Sequence, residues 1–198
     1  MSQGLALPSM RLLRQMGNVS SLTIAVPRTH RGGAAYTPPV AISDDDLTRL
    51  GRCVELARTA LDDGDEPFGS ILVNADGRTL FEDRNRVSGG DGTRHPEFAI
   101  ARWAAENLTT SDRAEATVYT SGEHCVMCAA AHAWVGLGRI VYATSSAQLT
   151  EWLAEWGAPP PPVATLPITA VAPGVVVDGP APGYADTMKS LYEARFRP

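Results

Sequence analysis

Apolar residues recur at helical spacing from Leu47 onward, through Leu50, Val54, Ala57 and Leu61. Ser43 and Asp46 form a capping box ahead of this run, with Asp44 and Asp45 adding charge that suits a helix start. Gly64 ends it. The period then shortens. An apolar run over residues 68–73, a turn over 74–77 and a second run over 79–81 predict a β-hairpin. A polar, glycine-rich stretch over 88–94 leads to a second helix over 95–108. A short strand follows over 116–120, then a third helix from Cys125 to Gly136, then a strand over 139–143. Residues 148–156 predict a short helix, and four prolines over 159–162 break the chain. Residues 168–177 predict one or two further strands. Residues 184–196 predict a last helix with Met188, Leu191 and Tyr192 on one face. Helices and strands alternating at these lengths indicate an α/β fold with helices on both faces of one sheet. Residues 1–42 sustain no period and carry Pro8, Pro27, Pro38, Pro39 and Gly32-Gly33. They are expected to form an extended or partly disordered arm, with the compact domain over 43–198.

Composition narrows the class. At 198 residues, 44% hydrophobic and 20% charged, the chain fits one ordinary globular domain. A net charge of −5 disfavours nucleic acid as a partner, because phosphate neutralisation supplies much of that affinity. Arg11, Arg14, Arg28 and Arg31 of the arm read as solvated charges, with an acidic partner as the alternative. No apolar run approaches the roughly 20 residues that span a bilayer. No basic start leads into an apolar stretch, so no secretory leader is expected and a cytoplasmic location is. Three cysteines do not suggest a disulfide framework.

The chemistry concentrates in two places. His95-Pro-Glu97 and Cys125-Val-Met-Cys128 each open a predicted helix. Two thiolates and an imidazole suit Zn²⁺, and Cys125 and Cys128, at i and i+3, share one helix face. A structural zinc site closes with four ligands, whereas three leave a place for water. Glu97 lies about 200° round the helix from His95, so it reads as a proton carrier rather than a fellow ligand. His132 shares the face of the two cysteines; a core or pocket-wall role is favoured over a fourth ligand. Cys53 reads as a small buried hydrophobe, and Trp103 and Trp134 as core. His30, in the arm, is assigned no role.

The H-x-E followed by C-x-x-C resembles the zinc-dependent cytidine deaminase-like superfamily. Pro67-Phe-Gly-Ser-Ile-Leu-Val73, Asp76-Gly77, Asn85, Ser121-Gly-Glu123 and Gly138-Arg-Ile-Val-Tyr142 extend the likeness. It covers residues 44–145 well, 146–198 loosely, and the first forty not at all. The resemblance implies a three-layer α/β/α fold with a central mixed sheet. It implies zinc held by His95, Cys125 and Cys128, with Glu97 shuttling protons. The implied reaction is hydrolytic deamination of a small aminoheterocycle, a free nucleobase or nucleoside of purine type, as in nucleobase metabolism. The alternatives are a tRNA adenosine deaminase, a cytosine-type deaminase, or a zinc-stabilised module without catalysis. A homodimer is also implied. Asn85 matches an Asn that hydrogen-bonds substrate, and Phe68 a residue that walls the pocket. His124 stands where the family usually has Pro; it faces either the pocket or solvent. Trp152 and Trp156 either pack a helix on the sheet or lid a planar base. Glu151 and Glu155 are the carboxylates of that region; the acidic pattern of the guanine-deaminating branch is missing, but either can serve a related role, and Glu151 is taken as a substrate-binding candidate.

Overall fold

The computed structural model describes residues 41–198. All but the last two residues of the expected N-terminal arm, with His30 and the four arginines, lie outside the described residues. Helix α1 (Asp44–Asp62) starts at the expected cap. Asp46 N–H donates to Ser43 Oγ at 3.1 Å, and Ser43 N–H donates to Asp46 Oδ2 at 2.9 Å. The hairpin follows as β1 (Gly69–Val73) and β2 (Thr79–Arg84), turning through Gly77 at φ 81°. Then come α2 (Pro96–Asn107), α3 (Thr110–Glu115), β3 (Thr117–Gly122), α4 (Val126–Val135), β4 (Arg139–Thr144), α5 (Ser146–Trp156), α6 (Ile168–Val171), β5 (Val177–Asp178) and α7 (Ala185–Phe196).

The strands form one mixed sheet in the order β2-β1-β3-β4-β5. β1 pairs antiparallel with β2 and β3, while β3, β4 and β5 run parallel. Strand alternation divides the core. Ile71, Val73, Tyr119 and Val141 face α1, meeting Leu50, Cys53 and Leu56. Leu72 and Val118 face α2, meeting Ile100, Ala101 and Ala104. α7 packs beside α1 and α5 through Met188, Leu191 and Tyr192. The result is the expected three-layer arrangement. Gly69 lets α1 lie directly on β1, since a Cβ there would sit 2.5 Å from the Cys53 carbonyl oxygen. The parallel strands β3 and β4 end at one edge, where α2 and α4 begin. In open α/β sheets this crevice beyond the strand ends is where ligands bind.

Three expectations change. The strand expected from residue 168 starts instead as helix α6. Pro167 precedes it, and Ile168 N–H donates to Glu123 Oε1 at 2.9 Å; the chain then turns at Pro173-Gly174, and only Val177–Asp178 pair with β4. Helix α3 appears where no element was expected. It is capped by Thr109 and Asp112, and its six residues are too few to display a period. Trp134, expected in the core, is 89% exposed. Cys128, Ala129 and His132 take the inner face of α4, and Trp134 lies two residues beyond His132, about 200° away. Trp103 meets its expectation in part, being half-buried and stacked on Phe81 at 5.3 Å.

Candidate active site and metal centre

His95 is the N-cap residue of α2, and Pro96 occupies the first helical position, where its missing N–H costs nothing. Cys125 is the N-cap residue of α4, and Cys128 lies one turn inside. The two helix starts bring His95 Nδ1 to 3.7 Å from both Cys125 Sγ and Cys128 Sγ. All three ligand atoms lie within 4.8 Å of one another, and they form the only such group found among the described residues. Zinc–sulfur and zinc–nitrogen bonds of about 2.3 and 2.0 Å at a tetrahedral angle place S and N about 3.5 Å apart. The donor set and its spacing therefore fit zinc, with three candidate ligands among the described residues.

The thiols respond to one another. Hydrogen bonding from Cys128 holds the Cys125 sulfur as a thiolate, down to about 4, with His95 assisting. The same partnership, with burial, pushes the Cys128 thiol up. Burial pulls the His95 imidazole down, but the Cys125 sulfur and Glu97 outweigh it and carry His95 to about 9.

Glu97, in the first turn of α2, is buried, and desolvation raises its carboxyl above the ordinary range. Ser70 Oγ and Thr120 Oγ1 each lie 2.9 Å from Glu97 Oε1. Asn85 follows β2 and is fully buried. Its Oδ1 accepts from Val87 N–H at 3.0 Å, while its Nδ2 has no protein partner. The loop after it is held by Asp65, which accepts from Ser88 N–H at 2.8 Å and pairs with Arg84 at 2.9 Å. Asn85 N–H donates to the Phe68 carbonyl at 2.9 Å, so Asn85 and Phe68 are neighbours.

An aromatic wall stands beside Phe68. Tyr192 of α7 lies 5.3 Å from the Phe68 ring and 6.0 Å from Trp152, with Phe196 beyond. Gly122 at the end of β3 admits this wall, since a Cβ there would sit 2.8 Å from Tyr192 Oη. Trp152 and Trp156 are half-buried and pack between α5 and α7, and Lys189 Nζ lies 6.0 Å over Trp152. Glu151 points to solvent, and Glu155 pairs with Lys189 at 2.8 Å; neither joins the metal cluster. His124 is buried edge-on against His132, ring centroids 5.5 Å apart. His132 Nε2 sits 2.9 Å from the Gly138 carbonyl oxygen and is absent from the ligand group. Cys53 is fully buried in the core.

Thr120 and Glu66 were not singled out from the sequence, and Ser70 and Glu123 entered only as members of the matching stretches, with no role of their own. Ser70 and Thr120 are hydroxyls inside apolar strands, which was the available signal. Glu123 accepts from Ser146 N–H at 2.8 Å and from Ile168 N–H at 2.9 Å, fastening two helix starts behind the site. Glu66 is half-buried, its carboxyl raised by desolvation, and His95 and Cys125 act on its charge.

The family profile described as "Cytidine and deoxycytidylate deaminase zinc-binding region" matches residues 43–144. A probable cytosine deaminase of Schizosaccharomyces pombe is 32% identical over 120 residues, 61% of this chain and 73% of that one. A tRNA-specific adenosine deaminase of Agrobacterium fabrum is 37% identical over 87 residues, 43% of this chain and 57% of that one. The solved guanine deaminase from Nitrosomonas europaea superposes with a TM-score of 0.59 at 20% identity, covering 81% of this chain and 88% of that one. That likeness speaks to the fold. The profile match spans just over half the chain and takes in all three ligands and Glu97, and the chain accordingly belongs to the zinc-dependent cytidine and deoxycytidylate deaminase family.

Proposed function

We propose that this protein hydrolytically deaminates a free nucleobase or nucleoside, of purine type by preference, and releases ammonia. The observation that carries the reading is Glu97, a buried carboxyl with raised proton affinity beside the His95, Cys125 and Cys128 cluster. Zinc, when held by His95, Cys125 and Cys128, would supply a Lewis acid and lower the pKa of a bound water. Glu97 takes a proton from the attacking water, gives it to the ring nitrogen and serves the departing amine. Burial suits it to this work by moving its affinity toward neutral pH. Asn85 Nδ2 donates to a ring acceptor of the substrate, and Phe68 offers a flat face to the heterocycle. Trp152 backs that face through Tyr192, with Trp156 in the same cluster, whereas His124 and Glu151 have no contact that draws them into this reading.

The net charge of −5 favours a small substrate over RNA. The 37% identical tRNA-specific relative keeps RNA editing as the second reading. Zinc-loaded protein offered guanine, adenine, cytosine and their nucleosides is expected to release ammonia from at least one of them. It is expected to bind tRNA weakly at physiological salt. Deamination confined to tRNA, with tight salt-sensitive binding, would favour the second reading. A homodimer completes the proposal. The charge-free helix α4, which exposes Trp134, is the face we assign to the second copy. Two free thiols at a metal centre fit a reducing cytoplasm.

A further inference from the structure

Ser70 on β1 and Thr120 on β3 stand directly opposite one another in the sheet, and both are fully buried. They continue the row that faces α2, next to Leu72 and Val118. An apolar pair would extend that core; the chain places two hydroxyls there instead. Burying a hydroxyl is unfavourable unless it is hydrogen-bonded, and these two converge on a single atom. Each lies 2.9 Å from Glu97 Oε1, and they lie 2.9 Å from each other.

We propose that Ser70 and Thr120 are positioning residues that pin Oε1 of Glu97 to the sheet and leave Oε2 as the oxygen that exchanges protons with the reactants. The proposal rests on the reading of Glu97 as proton carrier. The terminal torsion of a glutamate is broad and nearly two-fold, so an untethered carboxylate presents either oxygen over a range of angles. Two donors on adjacent hydrogen-bonded strands remove that freedom. Both belong to rigid elements, which place a reacting group more reliably than loops do. Thr120 Oγ1 also lies 2.9 Å from the Gly122 carbonyl oxygen. The Thr120 hydroxyl can turn toward that carbonyl and back while Ser70 keeps hold of Oε1, so the tether survives each turn of the shuttle.

The test compares zinc-loaded wild type with Thr120→Val, Thr120→Ser, Ser70→Ala and the Ser70→Ala/Thr120→Val double variant. Zinc content, a crystal structure, and kcat and KM for ammonia release from guanine, adenine, cytosine and their nucleosides are read for each. Zinc content is expected to stay at the wild-type level. In the double variant the Glu97 carboxyl is expected to leave its single orientation. There kcat is expected to fall about 10- to 100-fold, the scale of a misplacement near 1 Å, with KM within about twofold. Thr120→Ser keeps the hydroxyl and is expected to recover most of the turnover that Thr120→Val loses. If the double variant does not fold, Thr120→Val, close to the native shape, is read in the same way. An unmoved Glu97 carboxyl, or kcat equal to wild type, overturns the proposal. Wild type that releases no ammonia from any of these compounds overturns the reading of a free nucleobase or nucleoside substrate instead, and the crystal structures still decide whether the hydroxyls orient Glu97.

Discussion

Cys128 enters α4 one turn after Cys125, and His95 meets both from the start of α2, so each ligand depends on a helix start rather than on its sequence neighbours. Replacing Cys128 by Ser removes a soft donor from a three-ligand set. Zinc affinity should fall by more than the roughly 10- to 100-fold typical of losing an outer partner, as measured by competition with a chelator. Asn85 gives a second expectation. Its Nδ2 is a buried donor without a protein partner, and Asn85→Ala should raise KM about 10-fold or more, since an unmade buried hydrogen bond is worth about 1–3 kcal/mol. An unchanged KM would remove Asn85 from the substrate site. The ligands were legible in the sequence because their spacing is local within each helix. Ser70 and Thr120 were not, because their meaning comes from a cross-strand register that places residues fifty positions apart side by side. His124 showed its type but not its direction, and the structure turns it against His132.

The first element carries a cluster of long-range ties. Asp46 in the first turn of α1 accepts from Tyr119 Oη at 2.8 Å and from Arg139 Nη1 at 2.9 Å, and Arg139 Nε reaches Asp178 at 2.6 Å. One capping residue thus joins α1 to β3, β4 and β5. Burial works to raise the Asp46 carboxyl, but Arg139, Ser43 and Tyr119 outweigh it and hold it at about 2, below the ordinary 3.8. A carboxyl depressed on folding stabilises the folded state above pH 3.8 and loses that contribution as pH falls through 2. Urea unfolding of wild type should therefore weaken across that window, and the gap between wild type and Asp46→Asn should narrow there. A gap that stays constant from pH 5 to pH 2 would contradict the assignment. Arg139→Ala leaves Asp46 and Asp178 without their cation and should cost about 3 kcal/mol. The start of α1 was legible from Ser43 and Asp46 alone, because a capping box is a local device. The segment from Ile168 was not. Its β-branched composition argues for a strand, but the Glu123 carboxylate and Pro173 decide the outcome, and one of them comes from forty-five residues away.

At the scale of the whole molecule, the order of helices and strands was readable because each alternates with turn residues, and the sheet order was not, because register is set by tertiary packing. No helix among the described residues is long and apolar enough to cross a membrane. The proposed dimer would cover the exposed Trp134. Sedimentation at micromolar concentration should show a dimer for wild type and a shift toward monomer for Trp134→Asp; a wild-type monomer would exclude the assigned face. Glu97 is proposed to carry protons beside zinc it does not ligate. The most direct measurement sets zinc content against ammonia release for wild type and Glu97→Ala. Equal zinc in both proteins, with turnover of the variant lower by at least about 100-fold, is the predicted result. Near-normal ammonia release from zinc-loaded Glu97→Ala, or loss of zinc from that variant, would contradict it.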